Sequence, residues 1–312
     1  MEGLILMAES LCRADKNITL HLTVPDAPES VRAWAKRRPE IILSTVRPTG
    51  VSGWDVKPWL LLQQLSEGNA EVLWLDADMI VTRPVSQLVG QFPADRLIVA
   101  EEWIEKGVIP VTHFWDMPAA TQLPPVNSCF VRVTQAHRPL LERWLQMTQD
   151  PRYRAAQALP FDSRPFHLAS DQVLLTALLG SREFGRTPLA SIRTGRHIAH
   201  CAGSSSYRPL HRVLDLFRGL PPLIHCLGRK PWVPGQEGGI RRYLIDLADD
   251  VSPYSLAARR IAREIGAAPQ WIEPRTLPGA LLRMLTAHHP AAAGLPLAIP
   301  HAILMRIGLR LR

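Results

Sequence analysis

The sequence has few cysteines, and none of them is arranged like a metal ligand or a disulfide partner. Its four cysteines, Cys12, Cys129, Cys201 and Cys226, are scattered along 312 residues and form no CxxC pair. Disulfide-stabilised secreted domains and structural zinc sites both need cysteines at closer or repeated spacings. The pattern therefore indicates neither class and is typical of a protein in a reducing cytosol.

The sequence also lacks a hydrophobic run long enough to cross a membrane. Its longest apolar stretch near the end, residues 291–304, contains Pro296 and Pro300 and is too short for a spanning helix. The start has no basic segment of the kind found in signal peptides, and Glu2 and Glu9 interrupt its apolar residues. We therefore expect a cytoplasmic protein without a transmembrane helix.

Negative charge is scarce at the end of the chain. The net charge is +8, and residues 251–312 hold eight arginines against only Glu264 and Glu273. Such a region either lies on an anionic membrane surface or forms the solvated face of C-terminal helices. The rest is nearly neutral and has no basic stripe with aromatics, so we expect no nucleic-acid partner. We predict a main domain at 1–250 and a basic helical region at 251–312, for which peripheral membrane contact and a solvated helical face both stay open.

Strands and helices alternate along the chain. The apolar patterns predict strands at 17–24, 41–46, 71–75, 96–100, 126–133 and 223–226, and helices at 4–12, 30–38, 54–67, 135–149 and 170–179. This order predicts an α/β fold with a doubly wound, mostly parallel sheet, in which ligands collect where strands end. The proline-rich stretch 109–125 is predicted to be a long binding loop.

Two carboxylates stand in an otherwise apolar run directly after the third predicted strand. The run reads VLWLDADMIV, and its acidic residues are Asp76 and Asp78. Two partly desolvated like charges raise each other's pKa unless a cation or hydrogen-bond donors keep both ionised. A divalent metal would do so. In the alternative, both aspartates are turn residues that cap the next helix.

A histidine and a lysine follow another short apolar strand about 150 residues later along the chain. In IHCLGRKPW, His225 ends the strand, Gly228 forms a turn and Lys230 follows it. A lone histidine in this position is usually structural. Together with Asp76 and Asp78, however, it completes a mixed oxygen and nitrogen ligand set, which favours Mn²⁺ over Mg²⁺. Lys230 would then neutralise charge on a departing phosphate.

These segments resemble glycosyltransferase family 8 and its relatives. The matching blocks are WDVKPWLLLQQL, VLWLDADMIV, VNSCF at 126–130, SDQ at 170–172 and HCLGRKPW, in this order over roughly residues 5–235. The family has the GT-A fold and consists of retaining enzymes with nucleotide-sugar donors. The resemblance implies a metal-dependent retaining glycosyltransferase that moves a hexose from a nucleotide-sugar to a saccharide or glycolipid acceptor. The expected donor is a UDP-sugar.

The resemblance also implies roles for particular residues. It places metal ligands for Mn²⁺ (or Mg²⁺) at Asp76, Asp78 and His225, donor contacts at Lys57, Asn127, Ser128, Gly228 and Lys230, and catalytic residues at Asp171 and Gln172. The residues alone leave alternatives open. Lys57 could be a solvated helix lysine, and Asn127 and Ser128 could shape the start of a strand. Asp171 could be a carboxylate that the helix dipole favours.

Two features depart from the family pattern. Cys129 replaces the glycine of the usual Asn-Ser-Gly, so we expect the backbone to approach the donor sugar less closely. Family members also begin with a strand that cradles the nucleoside base, whereas this chain starts at what reads as the following helix. We therefore expect residues 1–250 to form the nucleotide-sugar domain without the first strand of the family.

Two other function classes use the same features. Haloacid dehalogenase-like phosphatases also have an apolar strand before DxD, which would make Asp76 a nucleophile and Asp249–Asp250 the later acidic pair. Against this, the DxD follows the third strand and IRRYLIDLADD reads as a helix. The second alternative is a catalytically impaired glycosyltransferase-like binding protein. The excess of arginine over lysine is typical of a GC-rich bacterial source, where polysaccharide assembly is the expected pathway.

Overall fold

The computed structural model describes residues 1–102, 112–120, 125–202, 207–227, 229–233, 238–266 and 271–306. The helices in these ranges are α1 Glu2–Ala14, α2 Glu29–Ala35, α3 Val56–Ser66, α4 Val85–Val89, α5 Arg138–Thr148, α6 Pro151–Gln157, α7 Asp171–Gly180, α8 Pro209–Arg218, α9 Gly239–Asp250, α10 Pro253–Glu264, α11 Leu277–Leu285 and α12 Leu295–Arg306. The strands are β1 Leu20–Thr23, β2 Ile41–Ser44, β3 Glu71–Leu75, β4 Met79–Val81, β5 Leu97–Glu101, β6 Val126–Thr134, β7 Leu189–Ile192, β8 Ile198–Cys201 and β9 Leu223–Cys226.

The chain forms two compact units that we name by their position in the sequence. The internal unit comprises Thr19–Asp76 and Gly90–Ile192. The terminal unit comprises Met1–Ile18, Ala77–Val89 and Arg193–Arg312. The predicted boundary at residue 250 is not tested by this division and stays a prediction. The helices α10, α11 and α12 of the predicted C-terminal region belong to the terminal unit.

A four-stranded sheet forms the centre of the internal unit. Its order is β3-β6-β5-β7, and β6 is antiparallel to both of its neighbours while β7 is parallel to β5. All residues of β6 except Thr134 are buried, because this strand is paired on both edges and covered by helix α7. The pairing of β5 with β6 shifts register between Val99 and Ala100, which sets Ala100 opposite Asn127. Strands β1 and β2 form a separate parallel pair.

Helices α3, α5 and α7 pack together in the internal unit because each has apolar residues at helical spacing. In α5 the buried positions recur every three or four residues, at Leu140, Leu141, Trp144 and Met147. Helix α3 ends before Gly68, whose positive φ of 94° is costly for residues with a side chain. This turn leads the chain back into β3.

The terminal unit contains a three-stranded sheet of order β4-β9-β8. Strand β9 is antiparallel to β4 and parallel to β8, so that Met79 and His200 are both paired with His225. Helices α1 and α10 pack on this sheet around a core that includes Leu6 and Tyr254. Among the helices of the described residues, no helix has both the length and the apolar character needed to cross a membrane.

The structure confirms the predicted α/β fold and corrects one detail of it. Strands β3 and β9 have the predicted bounds, and the other predicted strands and helices are present with ends that differ by a few residues. The sheets, however, are mixed rather than mostly parallel, with three parallel and three antiparallel pairs among the described strands. Alternation of strands and helices predicts crossovers, but the order in which later strands insert between earlier ones is not encoded in that alternation. Parts of the predicted loop 109–125 lie outside the described residues.

The core of the internal unit gives a stability prediction. We expect Leu178→Ala to lower the free energy of unfolding by about 2–5 kcal/mol, because it leaves a cavity in a packed core. Leu178 is completely buried in α7, whereas Leu159 of the same unit is 45% exposed. Leu159→Ala is therefore the matched control, with an expected loss below about 0.5 kcal/mol. Equal losses in urea unfolding of the two variants would contradict the described packing.

Candidate active site

A buried lysine holds two carboxylates together in the internal unit. Lys57, the second residue of α3, is 3% exposed. Its Nζ lies 3.1 Å from Oδ1 of Asp76 and 3.4 Å from Oδ2 of Asp171. It also donates a hydrogen bond of 2.8 Å to Oγ of Ser128, whose hydroxyl in turn donates to Oδ2 of Asp171 at 2.8 Å. Lys57 is thus not a solvated helix lysine.

The charges of this cluster depend on one another. Burial lowers the pKa of Lys57, but the charges of Asp171 and Asp76 outweigh it, so that the net shift is upward and the lysine stays protonated. Burial raises the pKa of Asp171, and the nearby charge of Lys57 opposes that shift. Removal of the lysine would therefore leave buried negative charge without a counterion.

Asp76 is held by the backbone and side chains around it. It follows β3, and its N–H donates to the carbonyl oxygen of Cys129 at 2.9 Å, which continues the pairing of β3 with β6. The indole N–H of Trp74 donates to Oδ1 of Asp76 at 2.6 Å. Strand pairing, an indole and the ammonium of Lys57 therefore fix the position of this carboxylate.

A second polar group in the internal unit joins Asn127 and Gln172 through Glu102. Oε2 of Glu102 accepts hydrogen bonds from Nδ2 of Asn127 at 3.1 Å and from Nε2 of Gln172 at 2.8 Å. The side-chain oxygen of Asn127 accepts the N–H of Cys129 at 2.9 Å. Two amide side chains that the sequence assigned to sugar contact and catalysis therefore share one carboxylate.

In the terminal unit, Asp78 lies beside an imidazole and an ammonium group. Oδ1 of Asp78 is 3.4 Å from Nε2 of His225. Lys230 donates to Oδ2 of Asp78 and to the carbonyl oxygen of Cys226. The Asp78 carbonyl accepts the N–H of Cys226 at 3.1 Å, which extends the pairing of β4 with β9. Gly228, which was predicted to contact the donor, lies outside the described residues.

The electrostatics of Asp78 favour its charged form. Burial acts to raise its pKa, but the hydrogen bond and charge of His225 and the charge of Lys230 outweigh burial and hold the pKa below its usual range. Asp78 is therefore ionised at neutral pH and able to bind a cation.

A second histidine sets the orientation of His225. Nδ1 of His200 lies 3.1 Å from Nδ1 of His225. The two residues are paired across β8 and β9, and both side chains are buried. One of these nitrogens must donate and the other accept. When Nδ1 of His225 donates, loss of the Nε2 proton that faces Asp78 leaves a lone pair there for a metal ion, and this neutral imidazole is the form that binds metals.

Two alternatives from the sequence are decided by these positions. The turn that contains Asp78 is followed by strand β4, so the alternative in which the two aspartates cap the next helix is wrong. Asp171 is the first residue of α7, as a dipole-favoured carboxylate would be, and its side chain also accepts a hydrogen bond from Ser128.

Asp249 and Asp250, the acidic pair of the phosphatase alternative, lie at the end of helix α9. Asp250 accepts hydrogen bonds from Arg259 and Thr276, which is a structural arrangement.

Sequence reasoning missed three residues of these clusters. Glu102 directly follows strand β5, just as Asp76 directly follows strand β3. This position after a strand was the signal that could have identified Glu102 from the sequence. His200 stands in AHC, which repeats the HC of IHC at 224–226. Trp74 precedes Asp76 by two residues, and its role could not be read from the strand pattern.

The Lys57 cluster gives a second stability prediction. We expect Lys57→Met to lower the free energy of unfolding by about 3–5 kcal/mol, because it leaves the buried carboxylate of Asp171 and the partly buried carboxylate of Asp76 without their counterion. Lys57→Met with Asp171→Asn should recover part of this loss. The matched control is Lys36→Met, an exposed lysine of the same unit. A single variant as stable as the control in urea unfolding would show that the cluster is not buried as described.

Comparisons with known proteins find likeness in structure and not in sequence. No protein-family model matches the chain, and no curated protein matches its sequence. Among solved structures, an active-site mutant of LgtC shares 14% identity with a TM-score of 0.51, over 86% of this chain and 94% of that chain. A second LgtC structure, of the galactosyltransferase in complex with donor and acceptor sugar analogs, also matches. It shares 16% identity with a TM-score of 0.47, over 79% of this chain and 91% of that chain.

A further match is the glycosyltransferase GlyE of Streptococcus pneumoniae TIGR4, with 15% identity and a TM-score of 0.48. It covers 86% of this chain and 62% of the GlyE chain. Identities at this level show a shared fold alone, and the LgtC match with a TM-score of 0.51 supports this conclusion. The chain therefore has the GT-A fold of the glycosyltransferases.

Proposed function

We propose that this protein is a metal-dependent, retaining glycosyltransferase that moves a hexose from a UDP-sugar to a saccharide or glycolipid acceptor. The observation that carries the proposal is the placement of His225 and Lys230 on the Asp78 carboxylate, two residues from Asp76 in the chain. The fold shared with LgtC supports it. Catalysis of this reaction depends mainly on stabilising the charge of the departing diphosphate.

The donor atoms in the terminal unit fit a divalent cation. A carboxylate oxygen of Asp78 and a ring nitrogen of His225 lie 3.4 Å apart, which is a suitable separation for two ligands of one ion. The pairing of His200 with His225 supports the tautomer that a ligand needs. Asp76 is the third proposed ligand, because only Ala77 separates it from Asp78 in the sequence. Mixed oxygen and nitrogen ligation favours Mn²⁺ over Mg²⁺.

When bound, Mn²⁺ would supply positive charge to the donor diphosphate. Lys230 has a complementary role in the proposal. Its ammonium group contacts Asp78, and a cation at that carboxylate would compete with it. Because the lysine is then free to bind a phosphate oxygen, Lys230 would stabilise the UDP leaving group as the glycosidic bond breaks. Gly228 is proposed to offer its backbone N–H to the same diphosphate.

The internal unit supplies the proposed contacts to the donor sugar. Glu102 orients the amides of Asn127 and Gln172, so these groups can donate to sugar hydroxyls without losing conformational freedom on binding. Lys57 and Ser128 fix the carboxylate of Asp171. We propose that Asp171 and Gln172 position the sugar while an acceptor hydroxyl attacks from the face that the diphosphate leaves, which retains the configuration.

The acceptor and the cellular site follow from the same proposal. Hexosyl transfer to a glycolipid would take place at the inner face of a bacterial membrane, in polysaccharide or lipopolysaccharide assembly. A cytoplasmic protein in peripheral contact with that face through its basic C-terminal region would meet both the soluble donor and the lipid-linked acceptor. Neither the phosphatase nor the impaired binding protein needs Lys230 beside Asp78, and so neither is preferred.

Binding of UDP tests the proposed metal site without knowledge of the acceptor. We expect the wild-type protein to bind UDP only with Mn²⁺ or, more weakly, Mg²⁺. Asp78→Asn and His225→Ala should each weaken Mn²⁺-supported UDP binding by about 100-fold in titration calorimetry, because each removes a ligand. The matched control is Asp26→Asn, an aspartate that is 83% exposed and ion-paired only at the surface.

UDP binding that is equal with a chelator present would contradict the metal site. Mn²⁺-dependent binding that survives both substitutions would contradict the assigned ligands. Covalent phosphorylation of Asp76 by a phosphate ester would instead support the phosphatase alternative, and Mn²⁺-dependent binding without release of UDP from any UDP-sugar would support the impaired binding protein.

Glu102 gives a separate prediction on the sugar side of the site. We expect Glu102→Ala to raise the KM for the UDP-sugar about tenfold, because two amides lose the hydrogen bonds that orient them. The affinity for UDP itself should not change, since UDP lacks the hexose that these amides are proposed to contact. A parallel loss of UDP affinity, or an unchanged KM, in steady-state measurements of UDP release would contradict the assigned role.

A further inference from the structure

Exposed apolar side chains are concentrated on four helices of the terminal unit. Of the 23 large hydrophobic residues that are exposed in the described part of the chain, 14 lie on α8, α9, α11 and α12. Exposed apolar residues scattered singly are normal, but contiguous groups mark interaction surfaces. These 14 are Leu210, Val213, Leu214, Leu216, Phe217, Ile240, Tyr243, Leu244, Leu277, Leu281, Met284, Leu285, Ile299 and Ile303.

Helix α8 shows the pattern most clearly. Leu210, Val213, Leu214 and Phe217 follow the spacing of one helix face, yet all of them are exposed, Phe217 by 86%. The polar residues Arg212 and Asp215 of the same helix are buried. The helix is thus inverted relative to an ordinary surface helix, whose apolar face is turned to the core.

The other three helices present similar stripes. In α11, Leu277, Leu281 and Leu285 recur every four residues, and Leu285 is 81% exposed. In α12, Ile299 and Ile303 have the same spacing. In α9, Ile240 and Leu244 do so as well, with Ile240 exposed by 72%.

The four helices are joined to one another within the terminal unit. Helix α12 contacts α8, and α11 contacts α9. Leu282 of α11 and Leu297 of α12 pack against one small cluster formed by Val251, Leu256 and Ala293. The exposed stripes therefore belong to one connected group of helices, which we call the apolar helix group.

The exposed charge on the described residues of the apolar helix group has one sign. None of the described residues of these four helices is an exposed carboxylate. Asp215 and Asp250 are completely buried, and Asp246 accepts hydrogen bonds from Arg229 and Arg242. The exposed charged residues include Arg208 at the start of α8, Arg241 on α9 and Arg218 at the end of α8, which is also ion-paired with the buried Asp215 at 2.9 Å. An exposed apolar surface edged by arginines complements an anionic lipid surface.

We propose that the apolar helix group docks on an anionic phospholipid bilayer, with Phe217, Leu210 and Leu285 inserted below the headgroups. A second copy of the chain is a poorer occupant. A two-fold symmetric contact would bring this surface against itself, so that two positively charged edges would face each other, and the described residues of the four helices offer no exposed carboxylate to offset that charge. Lipid phosphates offer negative charge to the positively charged edge, and acyl chains accept the apolar side chains.

This inference deepens the peripheral membrane contact in the proposed function by assigning it to specific side chains. It also extends the contact beyond the predicted basic region, because α8 and α9 precede residue 251. Docking needs neither donor nor metal, so it can be tested with the donor site empty. Its failure would leave UDP binding unaffected, and the failure of UDP binding would leave docking unaffected.

The test is sedimentation of the full chain with vesicles of phosphatidylcholine and phosphatidylglycerol in equal parts, against vesicles of phosphatidylcholine alone. We expect binding to the anionic vesicles, little binding to the neutral ones, and loss of binding by tenfold or more in the triple variant Leu210→Ser, Phe217→Ser, Leu285→Ser. The matched control carries Leu159→Ser, Phe161→Ser and Phe166→Ser, which are exposed apolar residues of the internal unit. It should bind like the wild type.

Three outcomes would overturn the proposal. The first is wild-type protein that stays in solution with anionic vesicles, and the second is a triple variant that binds as well as the control. The third is a concentration-dependent dimer in analytical ultracentrifugation that the triple variant abolishes, which would assign the surface to a second copy. Mn²⁺-dependent UDP affinity, measured on each variant, shows that the fold is retained, since none of the changed residues belongs to the donor site.

Discussion

The buried ammonium group of Lys57 is the interaction on which the candidate site of the internal unit depends. It joins residues from four places in the sequence, since Lys57 lies on α3, Asp76 follows β3, Ser128 lies on β6 and Asp171 begins α7. Buried carboxylates are unstable without a counterion. The lysine therefore allows negative charge to persist in a packed core, and the carboxylates are held at defined positions before any ligand arrives.

The terminal unit also keeps a partly buried carboxylate ionised, but with an imidazole and a partly exposed lysine in place of a buried ammonium group. Asp78 is kept ionised by His225 and Lys230, and His225 is itself oriented by His200. These residues come from β8, from β9 and from the segments beside β4 and β9, so the sheet register determines their spacing. In the proposed function, this arrangement changes partners during the reaction, because Lys230 moves from the carboxylate to the leaving phosphate.

Much of the fold could be predicted from the sequence, because β3 and β9 are short apolar runs with clear ends. The same runs pointed to Asp76, Asp78 and His225 as candidate ligands. The mixed direction of the strands could not be predicted, since it depends on which strands pair. Nor could the burial of Lys57, because its partners at 76, 128 and 171 are remote in sequence. Helix α8 was missed although its apolar residues have helical spacing, and that spacing does not predict that the apolar face is exposed rather than buried.

The central proposal is that Asp78 and His225 hold a divalent cation that also binds a nucleoside diphosphate, with Asp76 as the proposed third ligand. The most direct measurement is a crystal structure of the protein with Mn²⁺ and UDP, in which anomalous scattering locates the manganese. The account predicts one strong anomalous peak bonded to carboxylate oxygens of Asp76 and Asp78, to Nε2 of His225 and to the diphosphate. A manganese peak at other residues, or UDP bound without manganese, would contradict it.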